Sequence, residues 1–581
     1  MRIARDLKLS STSQSGDQAI FTTTQRIGWA LLIALTLYLC YFSNLSVIGF
    51  VGPDEPRYAW IARDMAETGD WVTPRLYGKP WFEKPPLLYW GGAIFFKLLG
   101  EGNPELAARL PSAICALLAT LALAWLAWRT CGEACARWLL LLLPTSVGMI
   151  GFAHAAATDM PFSGMLTIAM VCTAVVLGLT RNENTPILPY TPWVALLLFG
   201  FSLGLAVLAK GPAAVILCGG AVFFWAVFTK RWRDALCLFH PAAIASFSVT
   251  ALPWFILCAR RNPDFFRIFI IEHNFKRYLT PEFQHIQPFW FYLPVLLVAF
   301  LPWSLLALWA GAKGLSHPRR ARHSKELTCL MLTWAGFCLL FFTASKSKLP
   351  GYILPAVPAI GFLLASGISD EKLMRRRMTG IMLLSSGGCY LAAAICFHVK
   401  AARELSGAYA HKLSFEQLVV AFFIALLFFA IAGCFGASFL TRSKSTGEIL
   451  FVAAGVLLLA TSFTAAPRMI DRANLHLLSG KALALSLRAD PRAAEPLRLI
   501  GFKRDYRYAL NFYLHEEVLD WKDDPIRKGF VLSKGSDCAK LGTADQCADL
   551  GDVYDRNVSW GLLKITPADS LGRNGGGGQP K

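Results

Sequence analysis

The chain has 581 residues, of which 55% are hydrophobic and only 16% charged, and its mean hydropathy is +0.46. Those proportions exclude a soluble globular protein and call for a lipid-embedded one. The net charge of +19 does not point to nucleic acid, because Lys and Arg are spread over alternate loops instead of gathered on one stripe; topology and anionic lipid account for it.

Residues 1–26 form a polar arm, too long for the n-region of a cleaved signal and without a small-residue cleavage site after the first span, so that span is expected to stay as an anchor. Apolar runs follow at 27–48, 106–128, 138–153, 160–180, 192–209, 212–229, 240–259, 290–312, 327–344, 350–368, 378–398, 415–440 and 448–466, about thirteen transmembrane helices on hydropathy. They are continuously apolar, which favours helices over the alternating strands of a barrel. With the N-terminus inside, the basic clusters Lys230–Arg233, Arg319–Arg322, Arg375–Arg377 and Arg442–Lys444 all fall on the inner face, as short cytoplasmic loops require. An odd number of spans then leaves 467–571, a less apolar stretch of mixed helix and strand character, as a small α/β domain outside. The Gly-rich end, 572–581, is expected to be disordered. Cys538 and Cys547 lie in the outer domain and pair if that compartment oxidises thiols.

On this topology the outer face collects Asp54, Arg57, Glu83, Lys84, His154, Asp159, Lys210, Arg267, Glu272, His273, Arg277, Lys346 and Lys348. Cations gathered there oppose the positive-inside trend and call for an anionic ligand or lipid head groups. Each also has a plainer role. Asp54 or Glu55 suits the N-cap of a short interfacial helix whose apolar residues are Tyr58, Ile61, Ala62 and Met65. Asp159 suits the cap of the span at 160–180. Lys210 before Gly211-Pro212 suits a helix C-terminus. Glu83 and Lys84 suit a surface ion pair, and Arg267 to Tyr278 suits an interfacial helix. Two lysines in the short run Ser345-Lys346-Ser347-Lys348-Leu349-Pro350-Gly351-Tyr352 are explained best by a phosphate.

Taken together, Asp54-Glu55-Pro56-Arg57-Tyr58-Ala59, Trp71-Val72-Thr73-Pro74-Arg75-Leu76, Phe82-Glu83-Lys84-Pro85-Pro86, Thr158-Asp159, Lys210-Gly211-Pro212, Glu272-His273 with Arg277, and Lys346 to Tyr352 resemble the polyprenyl-phosphate-dependent sugar transferases of the C-type glycosyltransferase fold. Within that group the likeness is to the lipid A aminoarabinose transferases and the protein mannosyltransferases. The blocks cover the first two thirds of the chain in order. The resemblance implies an all-α polytopic membrane domain, 27–466, whose outer loop, 49–105, is catalytic. It implies Asp54 and Asp159 as catalytic carboxylates, and Lys84 with Arg267 or Arg277 on the lipid phosphate. Glu55, Arg57, Tyr58, Lys210, Lys346, Lys348 and Tyr352 complete the expected substrate-binding set. Glu83 and His273 carry ligand-type side chains and are the candidates for a divalent metal, without the tight spacing of a metal motif.

The expected reaction takes a sugar from a polyprenyl phosphate to an extracytoplasmic acceptor, a lipid A-type lipid, a protein or an envelope glycan, at the bacterial cytoplasmic membrane. Cations stabilise the departing phosphate. Asp54 is the base for a hydroxyl acceptor, whereas an ionised phosphate acceptor needs none and leaves Asp54 to orient the sugar. The rival class is a polytopic lipid or sugar transporter, which would place ionisable groups or broken helices near the membrane midplane.

Overall fold

The computed structural model describes residues 23–180, 191–276, 286–301, 303–308, 325–369, 479–489, 496–526, 528–533, 547–555 and 558–565. The chain is mostly helical. In order run α1 (Thr23–Tyr41), α2 (Asp54–Thr68), α3 (Leu87–Leu99), α4 (Pro104–Cys131), α5 (Glu133–Leu142), α6 (Val147–Ala153), α7 (Asp159–Val176), α8 (Thr191–Lys210), α9 (Ala213–Thr229), α10 (Pro241–Arg261), a π-helix (Arg267–Lys276), α11 (Tyr292–Ala299), α12 (Lys325–Ala344), a 3-10 turn (Pro350–Ala356) and α13 (Val357–Ser369). Among the described residues six stretches are long and apolar enough to cross a bilayer: α4, α7, α8, α10, α12 and the run Pro350–Ser369.

Several expected spans differ in detail. The stretch expected at 138–153 is a bent pair, α5 and α6, meeting at 62°. The one expected at 290–312 begins as the eight-residue α11, breaks after Ala299 and is helical again at 304–308. The spans expected at 378–398, 415–440 and 448–466 lie outside the described residues, as do Cys538 and Arg277.

The membrane helices pack around a core of Leu, Ala, Met and aromatic side chains that runs from α1 to α13. Without a hydrophobic difference between helix and lipid, close backbone approach through small residues is what holds such helices together. Gly200 on α8 shows this: a Cβ there would run into the Ala243 carbonyl of α10.

Residues 71–86 make a loop over one end of these helices. Its β1–β2 hairpin, Arg75–Leu76 with Lys79–Pro80, turns through Tyr77 and Gly78, both at positive φ, the geometry a two-residue hairpin needs. Farther on come α14 (Lys481–Ala489), β3 (Leu497–Ile500), α15 (Arg504–Leu514), β4 (Gly529–Ser533), β5 (Cys547–Asp555) and β6 (Val558–Ile565). The four strands form one sheet in the order β3-β4-β6-β5, with β3 parallel to β4 and the other pairs antiparallel. Cys547 is disulfide-bonded.

The face of α15 that carries Phe512 and Tyr513 docks on the loop between α1 and α2. Phe50 packs edge-on to Phe512 at 4.8 Å, and its N–H donates to Tyr513 Oη at 2.9 Å. Tyr513 Oη donates in turn to the buried Glu105 at 2.7 Å, and Lys481 pairs with the same carboxylate oxygen at 2.7 Å.

Candidate active site

The site begins where α1 gives way to α2. The cap of α2 is Pro53, and no side chain caps it, so Asp54 stands in the first turn with its carboxylate left for other work. Its side chain is 52% exposed. Arg57, one turn on, is buried; its Nη2 donates to Asp54 Oδ1, its Nη1 to Glu83 Oε2 at 3.0 Å, and its Nε to the Pro53 carbonyl at 2.8 Å. Three rings surround that guanidinium, Tyr58 at 5.8 Å, Trp81 at 5.5 Å and Tyr508 at 5.3 Å. Burial alone would weaken its hold on the proton, but the Glu83 and Asp54 carboxylates outweigh it and keep Arg57 charged above its ordinary range. Burial, with the Glu83 and Asp54 charges, also holds the Tyr58 phenol well above its usual value, so it stays neutral. Lys84 Nζ lies 3.7 Å from Glu83 Oε1. Asp54, Arg57, Glu83 and Lys84 are thus one chain of alternating charge on the water side of the helix ends.

Glu55, expected beside the substrate, turns the other way. Both its oxygens are taken by Arg109 of α4, at 2.9 and 2.8 Å, and it also accepts from the N–H groups of Val51 and Ala156 at 2.9 and 2.8 Å. Arg109 spends its remaining donors on the carbonyls of Leu45, Ile48 and Gly49. This buried fork splices the loop after α1, the start of α2 and the loop before α7. It is a frame holding Asp54, and it leaves Glu55 no atom for a ligand. Sequence reasoning missed Arg109 and Glu105. Charges four residues apart at the mouth of an apolar span were the cue, since ionisable groups there face inward.

A second cluster forms at Asp159. Thr158 occupies the cap of α7, and Asp159 Oδ1 instead accepts from Lys210 Nζ at 2.5 Å. Lys210 ends α8, with its ammonium 4.5 Å from the centre of the Tyr352 ring. Gly351 lies so close that a Cβ would stand 2.6 Å from Asp159 Oδ1, so a larger residue would have to push that carboxylate or the Phe152 ring aside. Ala156, three residues before Asp159, is bonded to Glu55, next to Asp54. Phe82, next to Glu83, packs in one cluster with Leu208 of α8 and with Phe265 and Phe269 beside and within the π-helix. Both carboxylate clusters therefore lie at the same end of the bundle.

Of the other expected residues, Lys348 is buried and donates to the Ser345 carbonyl at 2.6 Å; burial and the neighbouring Lys346 hold its ammonium below the usual lysine range. Lys346 is exposed. Ser347, between them, bridges Ile286 in an antiparallel pair. Arg267 is exposed on the π-helix and paired with Asp264 at 3.2 Å and Glu272 at 2.6 Å. Glu83 faces two cations of the protein itself. Among the described residues no three His, Cys, Asp or Glu side chains converge as metal ligands, so the Glu83 and His273 pair does not by itself make a metal site.

Residues 27–269 match the profile of the dolichyl-phosphate-mannose-protein mannosyltransferases. The undecaprenyl phosphate-alpha-4-amino-4-deoxy-L-arabinose arabinosyl transferase of Edwardsiella ictaluri is 31% identical over 421 residues, covering 72% of this chain and 73% of that protein. The protein of the same name from Serratia proteamaculans is 34% identical over 345 residues, covering 59% of each. The crystal structure of ArnT from Cupriavidus metallidurans bound to undecaprenyl phosphate superposes with a TM-score of 0.74 at 23% identity, covering 93% of this chain and 98% of that one, a likeness of fold. The chain belongs to the family of undecaprenyl phosphate-alpha-4-amino-4-deoxy-L-arabinose arabinosyl transferases, multi-pass membrane glycosyltransferases that use a lipid-phosphate-linked sugar donor.

Proposed function

We propose that this chain takes a 4-amino-4-deoxy-arabinose unit from undecaprenyl phosphate and joins it to a phosphorylated, lipid A-type acceptor on the outer side of the bacterial cytoplasmic membrane. The observation that carries the reading is the chain Asp54–Arg57–Glu83–Lys84, found in a chain that is 31% identical to a named relative over 73% of that relative's length. In this reading the acceptor oxygen attacks the anomeric carbon while the bond from that carbon to the phosphate oxygen breaks, and the electron pair leaves with undecaprenyl phosphate. Attack from the face opposite the leaving group inverts the centre.

Charge grows on the departing phosphate, and Lys84 with Lys210 meets it. Fixed donors of this kind are worth about 3 kcal/mol each to a transition state. An acceptor phosphate is already ionised and needs no base. Asp54 and Asp159 then hold and orient the sugar, and their negative charge suits an amino group. The rim of Asp54, Lys210 and α15 is taken as extracytoplasmic. It lies at the end of α9 opposite Lys230, Arg231 and Arg233, about 25 Å away at the helical rise, as the positive-inside rule asks. The membrane part, 27–466, and the segment 467–571 are read as separate domains.

The test is transfer by the purified chain in detergent, from the lipid-linked aminopentose to a phosphorylated lipid A-type acceptor. Asp54→Asn and Lys84→Ala should each lower turnover by roughly a hundredfold. Near wild-type turnover in both, or a requirement for sealed vesicles, would overturn the reading.

A further inference from the structure

Tyr508 of α15 stands beside the Arg57 cluster, and three guanidinium groups crowd its one ring: Arg57 at 5.3 Å, Arg504 at 5.4 Å and Arg507 at 6.0 Å. Arg57 is neutralised by Asp54 and Glu83. Arg504 and Arg507 are not: among the described residues neither has a carboxylate within ion-pair distance, and Asp505, between them in sequence, bonds neither. Every arginine of the facing segment 49–110 does have one, namely Arg57, Arg63, Arg75 and Arg109. The two cations also sit in the first turn of α15, where the helix dipole disfavours positive charge. Mutual repulsion and the dipole both oppose this arrangement, and an anion of two or more oxygens would relieve both, since each guanidinium offers a fork to such a group.

We propose that Arg504 and Arg507 are the binding site for a phosphate of the acceptor, placed beside Tyr508. This rests on the transferase reading above. An inverting displacement needs the acceptor on the side of the sugar away from the leaving phosphate. Arg57 touches both groups, donating to Glu83, the partner of Lys84, and lying over the Tyr508 ring that Arg504 and Arg507 share. The segment beyond residue 480 thereby contributes to substrate choice.

The test uses the full-length protein in detergent micelles. Binding of a phosphorylated lipid A-type acceptor, of the same acceptor after enzymatic dephosphorylation, and of undecaprenyl phosphate is measured for the wild type, R504Q/R507Q and R504K/R507K. The wild type should prefer the phosphorylated acceptor. The glutamine variant should lose about tenfold in affinity for it and none for undecaprenyl phosphate or the dephosphorylated form, and the lysine variant should recover part of the loss. Unchanged acceptor affinity in R504Q/R507Q overturns the proposal. So does an equal loss of undecaprenyl phosphate, which would assign the pair to the carrier, or displacement of the acceptor by equimolar phosphatidylglycerol, which would assign it to bulk lipid. A wild type that binds the phosphorylated acceptor through these arginines but never transfers sugar would sink the transferase reading and leave this site standing.

Discussion

Asp54 and Glu55 are neighbours with opposite tasks, and the difference lies in which way each leaves the first turn of α2. Asp54 meets only Arg57 and keeps half its surface in water, whereas Glu55 has both oxygens locked by Arg109 and two backbone N–H groups. Breaking a buried, hydrogen-bonded ion pair by removing one partner costs about 3–5 kcal/mol. Arg109→Ala should therefore lower the unfolding temperature of the purified protein along with its activity. Asp54→Asn should lower turnover by roughly a hundredfold at an unchanged unfolding temperature, and equal thermal stability of the two variants would contradict this division. Gly351 makes a second case at this scale. A methyl group there must displace the Asp159 carboxylate or the Phe152 ring, so Gly351→Ala should lose most turnover while still binding undecaprenyl phosphate; an active Gly351→Ala enzyme would remove Asp159 from the site. From sequence alone Asp54 and Asp159 were each matched by an equally good capping role. Only their actual caps, Pro53 and Thr158 without side-chain bonds, free them from it.

Among the elements, α15 has the largest effect for its length. Tyr513 Oη accepts from Phe50 and donates to Glu105, Arg63 Nη1 donates to the Phe512 carbonyl at 3.1 Å, and Asn511 Nδ2 donates to Tyr77 Oη at 3.1 Å. Eleven residues thereby grip the entry to α2, its middle and the hairpin tip. Tyr513→Phe leaves the Phe50 N–H without its partner, at a cost of about 1–3 kcal/mol, and the Glu105 oxygen with Lys481 alone. Faster amide exchange across 50–58 and 504–514 is expected, together with lower turnover; protection equal to wild type would mean the contact does not brace the loop. This docking was not legible beforehand. It joins residues more than four hundred positions apart, and neither partner carries a local motif, so the C-terminal stretch yielded only a mixed helix and strand character. The loop blocks around Asp54, Glu83 and Lys210, by contrast, combine charge with Pro and Gly at element ends, and those patterns are local.

For the whole molecule, sidedness follows from where charge can rest at a bilayer. The helices α8, α9 and α10 alternate direction. The end with Lys210, Pro212 and Arg261 joins the site, through Arg261 on Asp70 at 3.1 Å and Trp254 on the Val72 carbonyl at 2.9 Å, and the other end carries Lys230, Arg231 and Arg233. Hydropathy placed these spans because their apolar runs are continuous. The run at 290–312 is just as apolar, and hydropathy does not register the break after Ala299. In the proposed orientation the arginines of the short inner loops are held inside during insertion, while the outer cations Arg57, Lys84, Lys210 and Arg261 are neutralised by Asp54, Glu83, Asp159 and Asp70. Trypsin added to intact spheroplasts should therefore cut at the exposed Lys522, leaving the link between α9 and α10 whole. Inverted vesicles should give the reverse, with cleavage at Lys230 to Arg233. Cleavage at Lys230 to Arg233 in intact spheroplasts would invert the topology and move Asp54, Lys84 and Lys210 to the cytoplasmic face, where an outer-leaflet acceptor is out of reach.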